Sequence, residues 1–272
     1  GQESFGKGSV QQLHRNDDGS KLKITIAQYL TPGEQSIQSV GIPPDIALHR
    51  SIIEKEDGEE LISLYWEDWA QREVDLQHHL SNDVLIDDKE TFHLRYLQPS
   101  EYNPNKIDPK SDWEVQFAKR VLKRAPISER TGALDALGSL IVEEQKAEDK
   151  NIWNAFHELD RDWKKGENPS EKDIGLEVEL VGSGSFVAGE ERDVVFRVKN
   201  TSPTPMHQLS LWTESDNGVV DKREFYIGFL DIGAEKSQNK TIRFPYGYSN
   251  EKGEFDVVVR DQFNRELKRI PM

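Results

Sequence analysis

The chain has 272 residues, a formal net charge of −15, 31% charged and 35% hydrophobic residues, enough length for more than one core beneath a well-solvated surface. That acidity argues against nucleic-acid backbones and anionic membranes, which both reward basic patches, and no run is long and apolar enough to span a bilayer. The absence of cysteine excludes a disulfide framework and a thiol nucleophile, and fits either the cytoplasm or a bacterial envelope.

The N-terminus holds the densest signal, Phe5-Gly6-Lys7-Gly8-Ser9-Val10-Gln11. Glycine on both sides of Lys7 lets another group approach closely, and an amine desolvated in this way becomes a usable proton acceptor near neutral pH. Gly1 to Gly8 also reads G-x-x-x-x-G-K-G, one residue from a phosphate-binding loop. That loop needs Ser or Thr where Gly8 stands, a buried strand before it and a helix after it, and none of these is legible here. No nucleotide or other cofactor is expected. Next come a polar turn over Asn16-Asp17-Asp18-Gly19-Ser20 and a strand-like run from Lys21 to Tyr29. Thr31-Pro32-Gly33, Ser36-Ile37-Gln38 and Val40-Gly41-Ile42-Pro43-Pro44-Asp45-Ile46 follow.

This order resembles the end of the catalytic domain in the C-terminal processing, or tail-specific, serine proteases. Those proteins show F-G-K-G-x-x-Q, a K-L-T-type strand, Y-x-T-P-x-G-x-S-I-Q and then G-I-x-P-D. The resemblance implies a serine peptidase whose general base is lysine, with a glutamine four residues on that orients it; these are Lys7 and Gln11 here. Four residues of strand span roughly 13 Å and four of helix roughly 6 Å, so direct Lys7–Gln11 contact requires a turned or helical backbone. The family's nucleophile lies upstream, in a Ser-Ala-Ser-rich segment opening a helix. Ser9 and Ser36 do not match it, and the usual PDZ-like module has no counterpart. The expectation is a C-terminal fragment of a protease, inactive alone, with its nucleophile outside this chain.

Residues 1–47 read as the end of that catalytic domain and 48–110 as an acidic connector with one short apolar segment, Leu61 to Trp66, and Trp69. Trp66 and Trp69 read either as part of a solvated connector or as docking residues. His78-His79, with Asp75 and Asp83, lack a second cluster at ligand spacing, so no metal is expected. Residues 111–166 read as helical. Ser111-Asp112-Trp113-Glu114 fits a capping box, Trp113, Phe117, Val121 and Leu122 share a face, and Ala125-Pro126 stops the helix. A second run from Ser128 carries Leu134, Leu137, Leu140 and Ile141, then Ile152, Trp153, Phe156, Leu159 and Trp163, and stops at Lys164-Lys165-Gly166. Such stripes face a core.

From residue 174 to 272 apolar positions alternate: Leu176, Val178 and Leu180; Val194, Phe196 and Val198; Leu209 and Leu211. Strands at 224–229, 240–244 and 255–259 complete the pattern, and Asp216-Asn217-Gly218 signals a tight turn. Short strands at near-regular spacing predict a β-sandwich. Phe196 to Pro203 resembles a hairpin of the immunoglobulin-like modules in bacterial surface proteins, a likeness of fold that confers no function. Asn200 and Asn239 begin N-x-S/T sequons, relevant only in a eukaryotic secretory pathway.

The predicted class is therefore multidomain α+β: a protease remnant, a helical segment and an all-β immunoglobulin-like sandwich. Two functions fit. One is the C-terminal part of a serine endopeptidase of a bacterial envelope, periplasmic or exported, acting on proteins or peptides with flexible C-termini. The other is a non-catalytic interaction protein in which a protease remnant carries an immunoglobulin-like module that binds a protein partner. Intact Lys7 and Gln11 favour the first; the missing nucleophile favours the second.

Overall fold

The computed structural model describes residues 1–32, 34–56, 59–64, 73, 92–99, 108–125, 129–181, 189–216, 218–243, 246, 255–261 and 265–272. These residues are mixed α+β and mostly sheet, with two α-helices. The chain divides into two compact units, 1–152 and 153–272. Trp66, Trp69, Asp75, His78, His79 and Asp83 lie outside the described residues.

In the first unit β1 (Ser9–Arg15) and β2 (Lys21–Gln28) form an antiparallel ribbon, with a bulge between Val10 and Gln11. The turn joining them is built as its residues dictate. Gly19 takes φ +85°, and Asp18 accepts the Ser20 N–H at 2.9 Å, an Asx-type closure. β3 (Ile46–Glu56), β4 (Glu59–Ser63) and β5 (Phe92–Leu97) make a second sheet in the order β4-β3-β5, with β3 antiparallel to β4 and parallel to β5. These strands fall in the stretch read as an acidic connector. Their charge density hid the pattern, since Leu48, Ile52, Leu94 and Tyr96 turn inward while the charged neighbours stay at the surface.

Leu48, Leu94 and Tyr96 share a core with Phe117 of α1 (Trp113–Arg124) and Ile141 of α2 (Arg130–Glu158). The cap of α1 sits one residue beyond the expected serine: Asp112 accepts the Val115 N–H at 2.8 Å. α2 runs unbroken through Ala147-Glu148-Asp149, and its side chains close the edge of β5. Gln145 Oε1 accepts the Arg95 N–H at 3.0 Å and Glu148 Oε2 the Leu97 N–H at 2.9 Å. Two side chains thus stand where another strand would pair, which blunts the edge.

In the second unit α2 ends at Glu158, not at Lys164-Lys165-Gly166. Asp160 adopts φ +55°, with Asp160 N–H bonded to His157 O and Arg161 N–H to Phe156 O. That is a Schellman closure with Asp where Gly is usual. The chain then lays Trp163 against Phe156, with centroids 4.4 Å apart.

β6 (Leu176–Val181), β7 (Glu191–Asn200) and β10 (Glu235–Arg243) form one antiparallel sheet. β8 (Met206–Glu214), β9 (Glu224–Leu230), β11 (Asp256–Arg260) and β12 (Glu266–Pro271) form another, in the order β12-β11-β8-β9. Both line one core that includes Leu176, Phe196, Val198, Leu211, Phe225 and Val257. The segment likened to a hairpin instead crosses between sheets, because β7 pairs with β6 and β10 whereas β8 pairs with β9 and β11. Asn200 is fully buried at this crossing and ties it together through Thr204 O, Leu230 O and the Ser202 N–H. It is therefore no glycan acceptor. Asp216 and Gly218 lie within a long connection, 215–223, rather than a two-residue turn, and Asn217 lies outside the described residues.

Candidate functional site

The Lys7 loop is fixed by two turns and a strand. Ser4 N–H donates to Ile42 O at 3.2 Å, Ile42 N–H to Ser4 Oγ at 2.8 Å, and Ser39 N–H to Gly6 O at 2.8 Å. Tyr29 N–H donates to Gly8 O at 2.7 Å, extending the β1–β2 ladder by one rung. Gly6 has φ +88° and lies against the backbone of Ser39, Val40 and Gly41, so both requirements for glycine are present. Gly8 packs on Gln38, whose Oε1 accepts the Gly8 N–H at 2.9 Å. The G-K-G segment is not a phosphate cradle: that N–H is already taken, and a strand follows rather than a helix.

Gln38 is 1% exposed and uses both ends of its amide, since Nε2 donates to Glu73 Oε1 at 3.0 Å. The same oxygen lies 3.5 Å from Lys7 Nζ. The Glu73 N–H also donates to Phe5 O at 2.9 Å, so Glu73 is anchored to the loop by backbone as well as side chain. The Lys7 side chain is 46% exposed, less desolvated than a lysine between two close-packed glycines leads one to expect.

Gln11 lies on β1, beyond the bulge, exposed and paired in register with Thr25. The backbone from Ser9 is extended rather than turned, so the condition for direct Lys7–Gln11 contact is absent, and the group brought to Lys7 is Glu73. Ser9 and Ser36 are both buried. Ser36 Oγ accepts the Gln38 N–H at 3.2 Å and takes a hydrogen bond from Gln28 Nε2, a structural use. Beside this loop a cleft of about 280 Å³ is lined by Thr31, Pro32, Ser36, Ile37, Gly41 and Ile42 of the motif block, with Arg130 from the start of α2.

Sequence reasoning marked Lys7 but missed Gln38 and Glu73 as partners. Gln38 stood in the Ser36-Ile37-Gln38 segment, where nothing local marked it as a partner of the Lys7 loop. Glu73, one acidic residue among many, carried no local signal. Elsewhere His49 and His93 stack, with ring nitrogens 2.9 Å apart. Among the described residues no group of three or more His, Asp or Glu could hold a metal ion, and no helix is long and apolar enough to cross a membrane.

Residues 1–48 match Peptidase family S41. The carboxy-terminal-processing protease of Bartonella bacilliformis is 45% identical over 58 residues, 21% of this chain and 13% of that protein. The carboxyl-terminal-processing peptidase 3 of Arabidopsis thaliana, a chloroplastic protein, is 41% identical over 54 residues, 20% and 10% of the two lengths. The carboxy-terminal processing protease CtpB of Bacillus subtilis is 48% identical over 48 residues, 18% and 10%. The N-terminal segment thus carries the sequence of the C-terminal processing proteases, while the chain spans only 10 to 13% of the length of these relatives. Likeness to solved structures is slight. β-Glucosidase 3B of Thermotoga neapolitana aligns over 36% of this chain and 16% of its own at TM-score 0.21 and 20% identity. The sporulation control protein Spo0M of Bacillus subtilis aligns over 37% and 47% at TM-score 0.23 and 15% identity. Neither lends this chain a fold or a function.

Proposed function

We propose that this chain is the C-terminal part of a serine endopeptidase of the Ser–Lys type, with Lys7 as its general base. In this reading a serine from outside residues 1–272 attacks a peptide carbonyl. Its Oγ proton passes to the neutral Lys7 amine as the C–O bond forms. The ammonium then returns that proton to the leaving nitrogen as the C–N bond breaks, and water hydrolyses the acyl-enzyme in the same manner. The resemblance gives Gln11 the role of orienting Lys7; on extended β1, beyond the bulge, it pairs in register with Thr25.

The observation that carries the reading is the family match over residues 1–48 joined to the geometry of its central loop. Backbone hydrogen bonds hold residues 4–8 on both sides, so Lys7 is presented from a preorganised segment. Carboxy-terminal processing of proteins follows from the relatives' names, a chloroplastic peptidase among them; flexible C-termini and a bacterial envelope location come from the family resemblance and are part of the proposal. Residues 174–272, two sheets sharing one core, are proposed as an immunoglobulin-like module for docking, and residues 1–47 as the end of the catalytic domain.

The test is cleavage of a peptide with a flexible C-terminal tag by the isolated chain and by a version extended upstream to include the Ser-Ala-Ser-rich segment. Cutting by the extended form alone supports the reading. No cutting by either, with the extended form folded, turns attention to a binding role for the β-rich module.

A further inference from the structure

Glu73 is a buried carboxylate whose surroundings are incomplete. Its side chain is 6% exposed, and Oε1 serves both Gln38 Nε2 and Lys7 Nζ, yet among the described residues Oε2 has no hydrogen-bond partner. Burial of a charged carboxylate is costly unless a cation and donors compensate it. Lys7 is the cation in this arrangement and Gln38 the donor. Its backbone is tied to Phe5, two residues before Lys7, through the Glu73 N–H.

We propose that Glu73 is a positioning residue for Lys7, and that Gln38 aims Glu73. The proposal rests on the reading of Lys7 as the base. A long, flexible amine must be confined before it can take a proton in the right direction, and it carries a full positive charge once it has done so. A fixed carboxylate meets both needs: it limits the amine's rotamers beforehand and faces the ammonium afterwards. This is the third role in any nucleophile, base and orienter set. Oε2, the second oxygen of the same carboxylate, offers the ammonium another acceptor where charge develops. Gln38 makes the arrangement rigid, since one amide joins the Gly8 backbone to the carboxylate. Glu73 neither gains nor loses a proton in this scheme; the proton moves between Oγ, Lys7 Nζ and the leaving nitrogen.

The test has two readouts. The first is the rate at which an amine-acylating reagent modifies Lys7 in the 272-residue chain, measured by mass spectrometry against Lys21 and Lys23 as internal references. Because the ion pair holds the amine against Glu73, Glu73→Gln should free it and speed modification of Lys7 several-fold while leaving the reference lysines unchanged, and Gln38→Leu should act in the same direction. The second is peptide cleavage by the full-length protein. Glu73→Gln is expected to lower kcat by about 10²-fold, the scale of a misplaced catalytic group, with KM nearly unchanged and Glu73→Asp recovering part of the loss. Circular dichroism confirms that each variant is folded. Unchanged Lys7 reactivity in folded Glu73→Gln overturns the proposal whatever the activity. If Lys7→Ala abolishes cleavage while Glu73→Gln cuts like the parent, the protease reading stands and the proposal falls. If Lys7→Ala cuts normally, the protease reading itself fails and takes the proposal with it.

Discussion

Gly8 and Gln38 occupy each other's side-chain space: a Cβ added to Gly8 would stand 2.9 Å from the Gln38 backbone nitrogen and 3.1 Å from its Cβ. The close approach allows the Gln38 amide to reach the Gly8 N–H and Glu73 at once. The turn 36–40 and the Lys7 loop are therefore one packed unit, although about thirty residues of sequence separate them.

Gly8→Ala should open this unit. The obstacle is backbone, which cannot rotate away, so overpacking costs about 1–3 kcal/mol locally. Hydrogen exchange of residues 4–10 should quicken by roughly tenfold or more, with the second unit unaffected. Unaltered exchange in residues 4–10 would show that the loop tolerates a side chain and is not packed as described.

Asp112 and Ser111 provide a second comparison. Because Asp112 accepts the Val115 N–H, Asp112→Ala should destabilise the first unit by about 1 kcal/mol. Ser111→Ala, outside the cap, should change stability by only a few tenths. Urea unfolding of both variants measures the difference, and equal effects would contradict the observed cap.

Gly228 governs the junction between the end of α2 and the β9 strand. It has φ +73°, and a Cβ there would lie 2.3 Å from Asp162 O, beside the 2.9 Å hydrogen bond from Phe229 N–H to that oxygen. Gly228→Ala combines a left-handed backbone with a clash, costing about 2–4 kcal/mol. A fall in the unfolding temperature of the second unit, with exposure of Trp163 to quencher, is the expected outcome. An unaltered temperature would refute it.

Tyr96 predicts a loss of stability in alkali. Burial first, and then its hydrogen bond to the Glu114 carboxylate, pushes the phenol well above its ordinary value, against the opposing pull of Arg50. The folded state thus holds this proton more tightly than the unfolded chain, whose tyrosine ionises near pH 10. The contribution is complete below about pH 10 and declines as the pH rises above it. Tyr96→Phe should flatten the fall in unfolding temperature above about pH 10; a parallel decline in both proteins would contradict the assignment.

Local signals were read well and distant ones poorly. Phe5 to Gln11 identified Lys7 because glycine spacing is a property of adjacent residues, and the later strands were legible within their own length, β7 by alternation and β9 and β11 as short apolar runs. β12 escaped notice, since Leu267 and Ile270 break the alternation in a charged run. The parallel pairing of β3 with β5 joins residues such as Leu48 and Leu94 across a long interval, and no nearby pattern announces it. The site divides in the same way. Lys7 was visible, whereas Gln38 and Glu73 acquire meaning only when the fold brings positions 7, 38 and 73 together. The helix stop was misplaced because Asp160 closes α2 in a conformation that glycine normally signals.

The most direct test of the account is the cleavage rate of a tagged peptide by the upstream-extended protein and by its Lys7→Ala variant, both confirmed as folded. The account predicts measurable cutting by the parent and a loss of about 10²-fold or more in the variant, the contribution typical of a positioned general base. Equal cutting by the two would contradict it, because the proton would then be leaving the nucleophile by a route that does not involve Lys7.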